Sequence, residues 1–204
     1  MGRLAQTLGV MKINPIPSQS RDEAFRRLGR NVANFQLLER TLKELIPTLA
    51  FGGEISSLVS AQRQHAKRLR KQSLGVLTDE LKGRLFSADR AVTCDESQEG
   101  PTFHFAFKID ASADFIKEFK LRWQSLVRER NRLVHDGLKD YDLTLDEDCD
   151  RLSQMLDEQN TRIHQAIHDL RQLDDHRVMA IKSMVQHIAE EAILPRSGEP
   201  RDDA

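Results

Sequence analysis

Three side chains close to one another in the chain can do chemistry together: Arg130, Asn131 and His135. An imidazole titrates at about 6.5 when unperturbed, so His135 can give or take a proton near neutral pH. A guanidinium stays charged, and its planar fork of donors matches phosphate oxygens. The Asn131 amide can hold either the imidazole or the phosphate. Asn131 and His135 are four residues apart and therefore share a helix face. A proton carrier, a fixed cation and an amide at one helix end suit proton transfer beside a developing oxyanion.

Residues 113–137 must position this group. Ser112 is expected to cap a helix there, and Gly137 to end it in the left-handed conformation. Phe115, Phe119, Trp123, Leu126, Leu133 and Val134 recur at helical spacing. At about 100° per residue these side chains fall in one arc, with Arg130 in its middle. Burying that arginine unpaired would be costly, so it needs a carboxylate partner or an anionic ligand. An earlier helix offers a candidate. Ser20 and Glu23 form a capping box, and the helix they open is expected to stop at Pro47. Its stripe is Leu28, Val32, Phe35, Leu42 and Ile46, and Glu39 lies on that stripe. Glu39 either pairs with Arg130 or sits at the stripe's edge in solvent.

The pattern Arg130-Asn131-x3-His135, on a late amphipathic helix of a helical chain, resembles the signature of HEPN domains. That signature is an arginine followed by a polar residue, with a histidine about one helical turn beyond. The resemblance covers the helical part of the chain. It implies an all-α, up-and-down helical bundle, here with a β-hairpin inserted around residues 90–109. It also implies a metal-independent endoribonuclease that needs no cofactor. RNA carries its own nucleophile, the 2′-hydroxyl. The products would be a 2′,3′-cyclic phosphate and a 5′-hydroxyl, with Arg130, Asn131 and His135 as catalytic residues and Glu39 supporting them. One histidine cannot be base and acid in the same step, and the family's solution is a symmetric homodimer. A role as a toxin or antiphage-defence effector follows, with an antitoxin or regulatory protein as a further partner. HEPN toxins controlled by adenylylation carry a tyrosine two residues after the histidine. Gly137 stands there, and Tyr141 lies further on, which argues against that control. Two other readings stay open: a non-catalytic HEPN-like dimer that binds a nucleotide or a partner protein, and a helical scaffold with a buried Glu39–Arg130 pair.

The chain has 204 residues and a net charge of −1, so any contact with RNA has to be local. Residues 54–72 read as a helix with Ile55, Leu58, Val59, Ala66 and Leu69 inward. Its later half carries Arg63, Lys67, Arg68, Arg70 and Lys71, either a solvated face or a strip of phosphate contacts. No aromatic residue interleaves, which argues against base stacking. Thr78 is expected to cap a short helix ending at Phe86. Residues 102–109 then alternate, with Phe103, Phe105, Phe107 and Ile109 on one side, and read as a strand whose partner is sought in 90–94. His104 points the other way, towards the surface.

The acidic stretch 138–148 lacks the glycine and terminal glutamate of a calcium loop. Thr144 and Glu147 form a second capping box, opening a helix with Leu152, Met155, Leu156, Ile163, Ile167 and Leu170 inward. It either breaks near Asp174 or continues to Ile193. His164 and His168 lie one turn apart but lack a third ligand, so no metal is expected. Cys94 and Cys149 suggest two reduced thiols. No apolar run is long enough to span a membrane, and a cytoplasmic protein with no membrane partner is expected. The domain organisation reads as an extended arm (1–20), one helical domain (21–194) and a disordered tail (195–204).

Overall fold

The structure, a computed structural model, describes residues 18–86 and 100–193. The extended arm, the tail, Cys94 and the expected partner strand 90–94 lie wholly or almost wholly outside these residues. The described chain is an all-α bundle carrying a small antiparallel sheet.

Helix α1 (Gln19–Leu49) is capped by Ser18, whose side chain accepts a hydrogen bond from the Arg21 amide at 3.1 Å. Glu23 therefore does not close a capping box on Ser20. It turns outward to Arg26 and Arg27, whose hydrogen bonds hold its carboxyl down at about 2. The helix also runs through Pro47 instead of stopping there. So close to the C-terminus a proline removes only one helical hydrogen bond, and the buried ring recovers part of that loss by packing.

Strand β1 (Ala50–Glu54) follows at once and pairs antiparallel with β2 (Thr102–Ala106), Phe51 lying opposite Phe105. The phenylalanine alternation around β2 thus marks a strand, but its described partner is the stretch that reads in the sequence as a Phe-Gly-Gly turn. Two glycines make this possible. Gly53 has φ +136°, which side-chain-bearing residues rarely adopt. Gly52 faces His104 across the ladder, and a Cβ there would collide with the imidazole. His104 accordingly lies across Gly52, half-buried, and does not stand on the open surface.

Because the strand takes Glu54, α2 is shorter than expected, Leu58–Leu69. Ile55 and Val59 are exposed, and Leu69 is the buried anchor. Helix α3 (Leu74–Phe86) begins before Thr78, which is buried within it and donates to the Gly75 carbonyl at 2.8 Å. A threonine can satisfy its hydroxyl this way inside a helix as readily as it can cap one.

Helix α4 (Ala113–His135) starts where its sequence places it, with Ser112 accepting from the Phe115 amide at 3.3 Å. Trp123, Leu126 and Leu133 are buried, whereas Phe115 and Val134 are exposed. Gly137 is not left-handed. Its need for glycine is steric: a Cβ would come within 2.6 Å of the Leu133 carbonyl oxygen.

Helix α5 runs unbroken from Asp146 to Ile193. Thr144 does not form the capping box with Glu147. Its amide and hydroxyl both donate to Asp142 Oδ1, and the helix starts two residues later.

Helix α1 is the hub of the bundle. It packs most extensively on α5 and also touches α2, α3 and α4. Leu38, Leu42, Ile46, Leu77, Leu81, Trp123, Leu156 and Ile163 belong to one buried cluster. Within the α1–α5 seam, buried Asn31 donates to the Leu156 carbonyl at 2.6 Å and to Gln159 at 3.0 Å. A buried amide satisfied in this way fixes the register of two long helices, since any slip would strand it. Arg122 on Asp169 and Arg162 on Glu129 tie α4 to α5 at the surface.

Candidate functional site

The Arg130 guanidinium meets Glu39 across the α1–α4 junction, Nε to Oε1 at 3.4 Å. The side chains retain 29% and 17% of their accessibility, so the pair sits at the rim of the core and not inside it. The helical spacing puts Arg130 mid-stripe, but the apolar arc is narrower at this end of the helix, as the exposure of Val134 and of the α4 face beside it shows. Glu39 is shared, because its other oxygen lies 3.7 Å from Lys43 Nζ. Arg130 Nη1 donates to Asn131 Oδ1 at 3.4 Å. Asn131 and His135 are both exposed, and His135 is the last residue of α4.

The basic residues of α2 and the turn after it, Arg63, Lys67, Arg68, Arg70 and Lys71, are all exposed. They do not act as one strip. Arg68 leans towards Glu80 at 3.6 Å. Arg63 and Arg70 face α1 across a cleft of about 790 Å³, whose opposite wall carries Glu39, Arg40, Lys43 and Glu44 and whose floor includes Pro47 and Ala66. The carboxylate that holds Arg130 is thus also part of the wall that faces the basic helix. Arg40 and Lys43 escape a reading of α1 that follows only its apolar stripe. The signal that would find them is helical spacing: Lys43 lies four residues after Glu39, and Arg40 three before Lys43.

A second charged group is unannounced in the sequence. His65 of α2 lies 3.5 Å from Glu80 and 3.2 Å from Arg84, whose Nη1 donates to the Ala50 carbonyl at 2.7 Å. Burial, and then the Arg84 charge, push the His65 imidazole below its ordinary value. For Glu80 burial acts upward, but the hydrogen bond and charge of Arg84, with those of His65 and Arg68, outweigh it and leave the carboxyl low. The group bonds α2, α3 and β1 together.

The remaining candidates stand apart. His164 and His168 are exposed on α5, and His164 contacts Asn34 at 3.3 Å. Among the described residues no cluster of three or more His, Cys, Asp or Glu could hold a metal ion. Cys149 is buried, which pushes its thiol up and disfavours the reactive thiolate. Tyr141 is half-buried beneath Arg151, 5.9 Å from ring centre to guanidinium carbon. No described helix is long and apolar enough to cross a membrane. No family model, no curated protein and no solved structure matches this chain.

Proposed function

We propose that this protein is a metal-independent, HEPN-type endoribonuclease that acts as a symmetric homodimer. The observation that carries the reading is the end of α4. Arg130 is anchored by Glu39 there while Asn131 and His135 on the same last turns remain open to solvent. One His135 takes the proton of an RNA 2′-hydroxyl. The 2′-oxygen attacks the adjacent phosphorus, and the bond to the 5′-oxygen breaks. The second copy's protonated His135 gives that leaving oxygen its proton. Arg130 stabilises the charge that builds on the phosphorane oxygens. Glu39 engages the Nε side of the guanidinium, which leaves Nη2 for the phosphate.

The test is purified protein with single-stranded RNA in EDTA. Cleavage leaving 2′,3′-cyclic phosphate ends, abolished in both Arg130→Ala and His135→Ala, is the expected result. A non-catalytic reading is favoured by the same Glu39 contact, in which the pair fixes the α1–α4 register and does nothing else. Intact RNA under every condition, with Glu39→Ala merely loosening the fold, would select it.

A further inference from the structure

The cleft between α1 and α2 gathers four cations on two helices: Arg40 and Lys43 on one wall, Arg63 and Arg70 on the other. Two carboxylates, Glu39 and Glu44, share the lining, so four cations stand against two acids. Glu39 is already engaged by Arg130 and Lys43. Glu44 and Arg40 both lie on the crest of α1, where they also border the neighbouring groove towards α5. Arg40, Arg63 and Arg70 have no acidic partner among the described residues. A surplus of like charge held in a concavity draws anions to it. The molecule as a whole is nearly neutral at −1, so this concentration is a local feature.

We infer that the α1–α2 cleft is a phosphate-binding channel for a single nucleic-acid strand. Its volume, about 790 Å³, has room for a nucleotide-sized group. Its walls carry guanidinium and ammonium groups for phosphate oxygens. Its lining includes no aromatic ring, so it offers no platform for stacking bases. Lys67 and Lys71 lie outside the lining and are exposed on α2 and the turn after it. Through Glu39, the channel wall leads to Arg130. The inference rests on the ribonuclease reading only in naming where the strand lies, and strand binding is measurable without any cleavage.

The experiment measures anisotropy of a fluorescent oligodeoxythymidylate, which lacks the 2′-hydroxyl and cannot be cut by this chemistry. Wild type is compared with Arg40→Gln/Arg63→Gln and with Lys43→Gln/Arg70→Gln. A control, Lys117→Gln/Lys120→Gln, removes the same charge from exposed positions near the start of α4. Each cleft variant is expected to bind roughly tenfold more weakly. Its plot of log affinity against log salt should flatten by about 0.7 for each phosphate no longer engaged. The control should match wild type, and circular dichroism should show all variants folded. Equal affinity in wild type and cleft variants overturns the channel. An equal weakening in the control reduces it to bulk charge. Competition by adenosine monophosphate as strong as by the oligonucleotide makes the ligand a free nucleotide and overturns the strand. Binding without any RNA cleavage would sink the catalytic reading and leave the channel standing. Cleavage with unaltered binding in the cleft variants would do the reverse.

Discussion

Glu39 makes two contacts from one carboxylate, to Arg130 and to Lys43. Glu39→Ala leaves both cations at the rim of the core without it. Because the pair is only partly buried, the destabilisation falls between the surface and buried limits, about 1–2 kcal/mol. A thermal or urea melt reads it, and a melt identical to wild type would mean the contact is energetically idle. His135→Ala should melt like wild type, since the side chain is exposed, yet fail to cleave RNA. His65 predicts a pH effect whose sign follows from its depressed folded-state value. The unfolded chain takes up the proton first, so stability is full above about 6.5 and declines as the pH falls below it. The melting temperature of wild type should fall between about pH 6.5 and pH 5 more steeply than that of His65→Gln. Parallel curves would remove His65 from the account. Among these residues, the Glu39–Arg130 contact is one of the two alternatives that spacing leaves open, because an odd polar side chain on an apolar stripe calls for a partner. The surroundings of His65 are not legible, because its neighbours Glu80 and Arg84 come from another helix.

At the scale of the element, helices are legible in existence and less so at their ends. Capping is settled between nearby hydroxyls, and Ser18, not Ser20, takes the cap of α1. The sheet partner is hidden because Phe51-Gly52-Gly53 has the composition of a turn, while its pairing depends on the His104 ring filling the space above Gly52. Helix α5, with 48 residues, is about 72 Å long, against about 46 Å for the 31 residues of α1. It therefore outruns its main support. After Leu173 its apolar side chains are half-buried at best, and Met179, Val185 and Ile188 are exposed. Backbone amides of residues 178–190 should exchange with deuterium at least roughly tenfold faster than those of 152–170. Uniform protection along α5 in solution would show that another surface covers this end.

For the molecule as a whole, the proposed chemistry requires two imidazoles and each chain offers one in the motif. Light scattering should give twice the chain mass. Excess His135→Ala protein added to wild type should suppress cleavage more than dilution does, as mixed pairs lack either the acid or the base. Activity unaffected by such excess would point to a self-sufficient monomer. The amide network that locks α1 to α5 has one more consequence. Asn31 and its partners Leu156 and Gln159 are separated by at least 125 residues. Contacts so distant along the chain require closure of a very large loop before they return any energy. During synthesis, α1 emerges from the ribosome long before the surface it packs on exists. The part of its apolar stripe that packs on α5 must wait uncovered until the first half of α5 has been made, the interval in which a nascent chain depends most on chaperones.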